Sequence, residues 1–464
     1  MNTNHGKADF LKQAYAGFDA CYPAGKQSAV IVAVSGGSDS MALLLLAKSY
    51  LTKHHTDCRL IAVTVDHQLR PESAQEAAGV AIFCKQLGIS HQILCWDAAK
   101  PDTGMASAAR DARYGLLVEA AHANSAKIIL TGHTADDQVE TYLMRSQRSM
   151  VDTDEPSEMR GLAAMASQTL LQNRVLLCRP LLKIWRQTLR DYLQACDTAW
   201  YDDPSNDNLT YERPRMRMLA AQTDKQAVLD AVHQAGYLRQ QNNRRVAKLL
   251  KRNLGRISLL SGGGLVLPHG WDEGDTGVAP LALAYLLAAI GGHPLLPPVR
   301  EVAALSRQLQ SAPLTGRFRR TLHHCVVEKS AKSLKIWRER RNLPTAMLQA
   351  GESMVWDGRF HISNHAEFPV KIMVPTAPQL SGYLRGHQIK VQQIHRDCLM
   401  SAPAILRDDA LAEIPALADL VPQSLPVVLL RSYACFDKVL SGHDFEVVPV
   451  VKELLTMPLN HKYR

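Results

Sequence analysis

Short apolar runs recur about every 30 to 36 residues along the first part of the chain, the period of strand–helix–strand units. The runs at 30–34, 60–66, 91–96 and 127–131 are short and rich in β-branched residues, so they read as buried strands. Between them, and over 8–22, apolar positions return at helical spacing. Strands alternating with helices predict an α/β fold, a parallel sheet with helices on both faces. Ligands of such sheets sit beyond the carboxyl ends of the strands, which places any chemistry at the residues following each strand.

The first strand runs into Ser35-Gly36-Gly37-Ser38-Asp39-Ser40, and a helix comes next. A glycine turn between strand and helix brings backbone N–H groups and a helix N-terminus to one point, the arrangement that binds phosphate. Gly36 and Gly37 permit close backbone approach, and Ser35, Ser38 and Ser40 add hydroxyl donors. Asp39 is out of place beside phosphate unless a divalent cation lies between them. A tight turn with Asp39 favoured by the helix dipole accounts for the same residues without a ligand.

After the second strand, Asp66 and His67 stand at the sheet edge, either beside a nucleotide or as a polar strand end capping the next helix. Arg110 and Arg113 share one face of a predicted helix, fit to clamp phosphates or to meet solvent. The fourth strand leads to Gly132 and His133, then to Asp136, Asp137 and Glu140. Carboxylates this close repel one another unless a helix N-terminus, an arginine or a metal offsets them. They form either an acidic first turn or a magnesium and general-base station.

The 464 residues suffice for two or three domains, and a hydrophobic share of 46% supplies real cores. An excess of 53 basic over 44 acidic residues leaves a net charge of +9, which favours an acidic partner, nucleic acid first. The excess is local, because residues 213–256 hold 11 Lys or Arg against two Asp. That stretch reads as a basic helix on an RNA backbone, or as a solvated face. The nine cysteines are scattered without a C-x-x-C pair, so they read as reduced thiols of a cytoplasmic protein and exclude a zinc or iron–sulfur frame. No secretory signal or membrane-spanning run is expected.

Further on, Ser261-Gly262-Gly263-Gly264 sits between apolar runs as a hairpin loop. Residues 281–320 read as helical, ending in a basic Arg-Phe-Arg-Arg, and several prolines over 341–380 mark a boundary. The expected division is a catalytic domain over 1–217, a basic, mainly helical domain over 218–340 and a small α+β domain over 341–464.

Ser-Gly-Gly-x-Asp-Ser resembles the pyrophosphate loop (PP-loop) of the ATP pyrophosphatase superfamily, whose members release pyrophosphate from ATP and transfer AMP. The Gly-Lys-Ser/Thr ending of loops that transfer the γ-phosphate is absent. Together with VDHQLR at 65–70, ARDARY at 109–114, GHTADDQVET at 132–141, RPLL at 179–182, WYDDPSN at 200–206 and Tyr211-Glu212-Arg213, the loop resembles the tRNA(Ile)-lysidine synthetase family. The resemblance implies a PP-loop ATP pyrophosphatase fold and a ligase using ATP, Mg²⁺, free L-lysine and a tRNA(Ile) with a CAU anticodon. In that reaction the first anticodon cytidine is adenylated at its C2 oxygen. Lysine then displaces AMP, and the product, lysidine, reads AUA instead of AUG.

On this reading Ser35, Gly36, Gly37, Ser38, Asp39, Ser40, Asp66, His67 and Gly132 bind ATP, with the magnesium on Asp39. Asp39, Arg113, His133 and Asp137 are the catalytic candidates, His133 or Asp137 being the base for lysine. Arg110, Arg213 and Arg217 would hold tRNA or ATP phosphates. The two later domains are expected to contact tRNA, with no membrane partner and with an oligomer left open. Two departures stand out. The family's Arg-Gly-Ser-Gly turn is replaced by RSQRSMVDTDEPSEM at 145–159, and its Arg-Asn pair by Arg213-Pro214. A related tRNA thiolase of the cytidine type would need clustered cysteines, and a small-molecule amidating ligase would need neither the basic helix nor the later domains. A non-catalytic tRNA-binding protein would not need the intact Ser, Asp, His and Arg set.

Overall fold

The computed structural model describes residues 4–23, 27–148, 158–202, 212–312 and 317–456. Two compact units divide the chain, Met1–Arg239 with Val439–His443, and Gln240–Lys438 with Asp444–Arg464.

In the first unit α1 (Asn4–Cys21) precedes β1 (Ala29–Ala33), α2 (Ser38–His54), β2 (Arg59–Asp66) and α3 (Ser73–Gln86). Next come β3 (Ser90–Cys95), α4 (Met105–Ala123), β4 (Ile128–Leu130) and α5 (Ala135–Arg148). All four strands expected from the apolar runs form, each within one residue of its expected ends. β5 (Gln168–Leu171) and β6 (Val175–Cys178) make a hairpin, and α6 (Arg186–Ala195), α7 (Glu212–Ala221) and the start of α8 (Lys225–Arg252) complete the unit.

The sheet order is β3-β2-β1-β4-β6-β5, with the strand Val439–Ser441 outside β5. The first five strands in this order are parallel, while β5 and Val439–Ser441 run antiparallel to their neighbours. Ala29 and Ile31 project onto Tyr114, Leu117 and Ala121 of α4. Val30 and Val32 meet Leu43 of α2, Phe18 of α1 and Leu189 of α6 on the other face. Burial on both faces is why β1 reads as a continuous apolar run, each full-size aliphatic side chain contributing roughly 1.5–3 kcal/mol. From β1 the chain moves outward through β2 to β3, then returns by α4 to β4 on the other side of β1. This reversal opens a crevice at the carboxyl ends of β1 and β4, flanked by residues 34–40 and 131–137.

In the second unit the rest of α8 leads to β7 (Ser258–Leu260), β8 (Gly264–Pro268), α9 (Ala279–Gly291) and α10 (Val299–Ser311). β9 (Phe318–Leu322), β10 (Cys325–Lys329) and β11 (Ser333–Arg338) complete a five-stranded sheet, ordered β7-β8-β11-β10-β9. The glycine run turns the β7–β8 hairpin, as expected. Residues 218–340 thus carry a sheet beside their helices. The basic run at 317–320 is also not a helix end. Its residues from Phe318 onward form β9, because α10 stops at Ser311 and Ala312, which precedes Pro313, is extended (φ −64°, ψ 130°). Residues 346–431 build two further antiparallel sheets of four and three strands. All nine cysteines are free thiols. No helix among the described residues is long and apolar enough to cross a membrane.

Candidate active site

Gly37, extended at φ −72° and ψ 160°, caps α2. Ser40 closes the turn, donating from Oγ to Gly37 O at 2.9 Å and accepting from the Ser35 N–H at 3.1 Å. Gly36 has φ +87°, a conformation that strains any residue with a Cβ. The Tyr201 N–H donates to Gly36 O at 3.0 Å. Its ring packs against Gly36 and against Gly79 of α3, where a Cβ would lie 2.0 Å from the Tyr201 hydroxyl. Gly132 admits the backbone of Asp39, since a Cβ there would come within 2.8 Å of Asp39 O. The loops after β1 and β4 are therefore in direct contact.

Cations offset the carboxylates of α5. Asp137 Oδ2 accepts from the Thr134 N–H at 2.7 Å and its hydroxyl at 3.0 Å. Oδ1 accepts from Arg213 Nη2 at 2.7 Å and Arg186 Nη2 at 3.3 Å. Glu140, its side chain 2% exposed, accepts from Nε of both Arg213 and Arg217 at 2.9 Å and pairs with Arg186 Nη1 at 3.5 Å. Asp136 accepts from the Arg186 N–H at 2.8 Å and from Lys225 Nζ at 3.1 Å. Arg186 also donates from Nε to Asp39 Oδ2 at 2.9 Å. One guanidinium at the start of α6 thereby joins the carboxylate of the glycine loop to those of α5.

Burial pushes the Asp39 carboxyl up, with Asp137 adding to the rise and Arg186 opposing it. Burial would raise Asp137 too, but Arg213, His133 and Arg186 outweigh it and hold that carboxyl below the usual range. Burial, Arg179 and Arg113 hold His133 well below its ordinary value, so the imidazole is neutral at pH 7. Its Nδ1 lies 3.0 Å from Thr131 Oγ1. Burial and Arg113 also lower His67, whose buried Nδ1 has no hydrogen-bond partner among the described residues. Arg110 and Arg113 lie over the Tyr114 ring at 5.0 and 5.4 Å. Asp66 Oδ1 accepts from the Gln68 N–H at 2.8 Å and Ser73 Oγ at 2.7 Å, closing the turn into α3.

The profile of the PP-loop domain family matches residues 10–223. A tRNA(Ile)-lysidine synthase of Brucella anthropi is 42% identical over 433 residues, covering 91% of this chain and 93% of its own. The chain belongs to the tRNA(Ile)-lysidine synthase family. The tRNA(Ile)-lysidine synthase of Brucella melitensis biotype 2 is 41% identical, covering 93% of this chain and 95% of its own. A U34-tRNA thiolase from Methanococcus maripaludis overlays with a TM-score of 0.41 at 17% identity, over 49% of this chain and 80% of that one.

The family's motifs thus meet where the sheet reverses, with Asp39, Asp137 and Arg213 in one ion-paired group and the charge of Arg113 acting on His67 and His133. Two neighbours of this group carry no signal in the motifs. Arg186 begins α6, a position where a cation opposes the helix dipole, and that misfit is its one mark in the sequence. Tyr201 stands in the 200–206 motif but is unremarkable until its ring is seen between two glycines.

The altered 145–159 segment falls partly, at 149–157, outside the described residues, as do residues 203–206 and Tyr211. Residues 161–165, just beyond the segment, are tied back to α5. Arg145 Nη1 donates to Gly161 O at 2.7 Å and Ala164 O at 3.0 Å. The Gln138 amide exchanges two 2.8 Å bonds with the Met165 backbone. Pro214 sits in the first turn of α7, where an N–H has no helical acceptor. The helix is intact, and Arg213 and Arg217 reach Glu140 together.

Proposed function

We propose that this chain joins free L-lysine to C2 of the first anticodon cytidine of a CAU-bearing tRNA(Ile), using ATP, in the cytoplasm. The observation that supports it most is the meeting of the 35–40 loop with the Arg186–Asp39 pair at the reversal of the sheet.

The start of α2 and the hydroxyls of Ser35 and Ser38 receive the phosphates, with Ser40 closing the turn that presents them and Asp66, His67 and Gly132 beside the nucleotide. Asp39, the carboxylate of the glycine loop, would hold Mg²⁺. Among the described residues no group of three His, Cys, Asp or Glu forms a cage of its own. Bound there, the metal would supply charge neutralisation at the reacting phosphate. The cytidine O2 attacks the α-phosphate, the bond to pyrophosphate breaks, and Arg113 offsets the developing charge. Lysine Nε then attacks C2 and AMP departs with the oxygen.

An amine of reference pKa about 10.4 needs a base at neutral pH. His133, its Nδ1 beside Thr131 Oγ1 at the end of β4, is assigned to take that proton as the amine adds to C2. Asp137 is committed through both oxygens to Thr134, Arg213 and Arg186, so it holds the arginines instead. Arg110 is assigned to the RNA phosphates together with the outer faces of Arg213 and Arg217, and residues 218–340 and 341–464 to the rest of the tRNA.

The test is incorporation of labelled lysine into a tRNA(Ile) transcript with a CAU anticodon, with ATP and Mg²⁺. A methionine tRNA with the same anticodon and an Asp39→Ala protein serve as controls. Incorporation confined to the isoleucine tRNA and lost in the variant is expected. AMP formation with tRNA but without lysine incorporation would keep the adenylation and overturn the nucleophile.

A further inference from the structure

Helix α6 meets α2 through Leu189 and Leu193, which share a core with Met41 and Leu44. Arg186 and Arg190, spaced i, i+4, flank that apolar stripe, and both reach the amino end of α2. Arg186 is committed to carboxylates, since Asp39, Asp137 and Glu140 all pair with it. Arg190 has a single carboxylate partner among the described residues. Its Nη2 lies 2.7 Å from Asp202 Oδ1, and its Nε lies 3.5 Å from Ser38 Oγ. The Asp202 side chain is 67% exposed and accepts from the Trp200 indole N–H at 3.3 Å on its other oxygen. The Arg190 guanidinium stands 5.8 Å from the centre of the Trp200 ring.

An ion pair open to water is weak, so Arg190 exchanges Asp202 for another anion readily. The anion it faces across Ser38 is whatever occupies the amino end of α2. A phosphate there meets the helix dipole and the two-pronged match of a guanidinium to its oxygens together. Position along α6 decides which phosphate. Arg190 lies one helical turn, about 5.4 Å, beyond Arg186, and it shares none of the α5 carboxylates that Arg186 holds. A triphosphate whose α-phosphorus lies toward α5 therefore points its far end at Arg190.

We propose that Arg190 binds the β- and γ-phosphates of ATP, the part that leaves as pyrophosphate. The proposal rests on the cleavage of ATP between its α- and β-phosphates, and it adds to the leaving-group side a residue outside the family's motifs. As the bond from the cytidine O2 to the α-phosphorus forms, the bond to the bridging oxygen breaks. That oxygen keeps the electron pair, and Arg190 offsets its added charge. Asp202 holds the guanidinium in place until the phosphates displace it.

The experiment titrates the full chain calorimetrically with pyrophosphate and, separately, with AMP, both in the presence of Mg²⁺. Arg190→Gln should weaken pyrophosphate binding about 10-fold or more, the loss expected for a charge-assisted contact. Its affinity for AMP should stay within about 2-fold of wild type. Arg190→Lys should recover only part of the loss, having the charge without the fork. Asp202→Asn frees the guanidinium, so pyrophosphate should bind as tightly as to wild type or more tightly. Lys183→Gln, which removes an exposed charge just before α6, should change neither ligand. Equal weakening of both ligands in Arg190→Gln, or the same weakening of pyrophosphate in Asp202→Asn or Lys183→Gln, would overturn the proposal. Arg190 would then be a clasp on Asp202 or a source of general charge. Undetectable binding of pyrophosphate to the wild type would overturn it as well. Pyrophosphate binding that depends on Arg190, in a protein that incorporates no lysine, would uphold it while the lysine reaction falls.

Discussion

Arg186, the first residue of α6, donates to Asp39 Oδ2 at 2.9 Å. A cation at the amino end of a helix opposes the helix dipole by several tenths of a kcal/mol. Its carboxylate partners Asp39, Asp137 and Glu140 offset that cost.

The pair leads to a test of how the loop carboxylate is kept ionised. Asp39 is already pushed up by burial, and Arg186 opposes that rise. In Arg186→Gln the Asp39 pKa should climb further, so the acid limb of tRNA-dependent ATP–pyrophosphate exchange should move to higher pH. At pH 7 the exchange rate should fall about 10- to 100-fold, or roughly 1.4–2.8 kcal/mol of barrier. Lysine at 186 should restore only part of it, lacking the fork that reaches three carboxylates. An unmoved acid limb would show that Asp39 ionises independently of Arg186.

Glu140 is the buried anchor of the same network, with three arginines on one carboxylate. Glu140→Gln removes the charge while keeping the shape, and leaves Arg186, Arg213 and Arg217 facing one another with less compensation. Breaking a buried ion pair from one side costs about 3–5 kcal/mol, and urea unfolding should register a loss of that order. Arg217→Gln should cost far less, since its side chain is 32% exposed and water replaces part of the interaction. Equal losses in the two variants would refute the anchoring role.

The contrast between strands and ion pairs explains what could be read from the sequence. β1 through β4 are legible because each carries a compact apolar run bounded by polar residues, and burial demands that pattern. The network is not, because its members come from residue 39, residues 136–140, residue 186 and residues 213–217, and nothing periodic links them. β9 is concealed for a different reason. It is an edge strand whose central Arg319, Arg320 and Thr321 are all exposed, so the alternation that marks a half-buried strand never develops. Arg186 and Tyr201 become meaningful only through their neighbours in space.

His133 gives a prediction about pH. Its folded pKa lies well below the ordinary 6.5, so on acidification the unfolded chain takes up the proton first. Stability from the neutral, buried ring is therefore complete above about pH 6.5 and is lost as pH falls toward the folded pKa. Asp137, whose carboxyl is depressed, acts in the same direction at lower pH, its contribution fading below about pH 4. Between about pH 7.5 and about pH 5.5 the wild type should lose more unfolding free energy than His133→Gln. Parallel curves for the two proteins would mean that His133 is not held neutral by the fold.

Tyr201 and Gly79 allow the stability of the fold and the affinity for ATP to be moved in opposite directions. Gly79 lies within α3, and alanine there should favour the helix by up to about 1 kcal/mol. Its methyl group, however, would stand 2.0 Å from the Tyr201 hydroxyl, so the tyrosine must leave its place. Tyr201 touches the phosphate loop through its N–H on Gly36 O and through its ring on Gly36. Gly79→Ala should therefore raise the KM for ATP about 5- to 10-fold, roughly 1–1.4 kcal/mol, while the melting temperature holds or rises. In a Tyr201→Ala background the same change should leave the KM where it is, giving a coupling energy of about 1 kcal/mol. Tyr201→Phe should relieve part of the conflict, because the next tyrosine atom in the way, Cζ, is 3.1 Å from that Cβ. If Gly79→Ala weakens ATP binding equally with and without the tyrosine ring, α3 reaches the loop by another route and Tyr201 is only a cover.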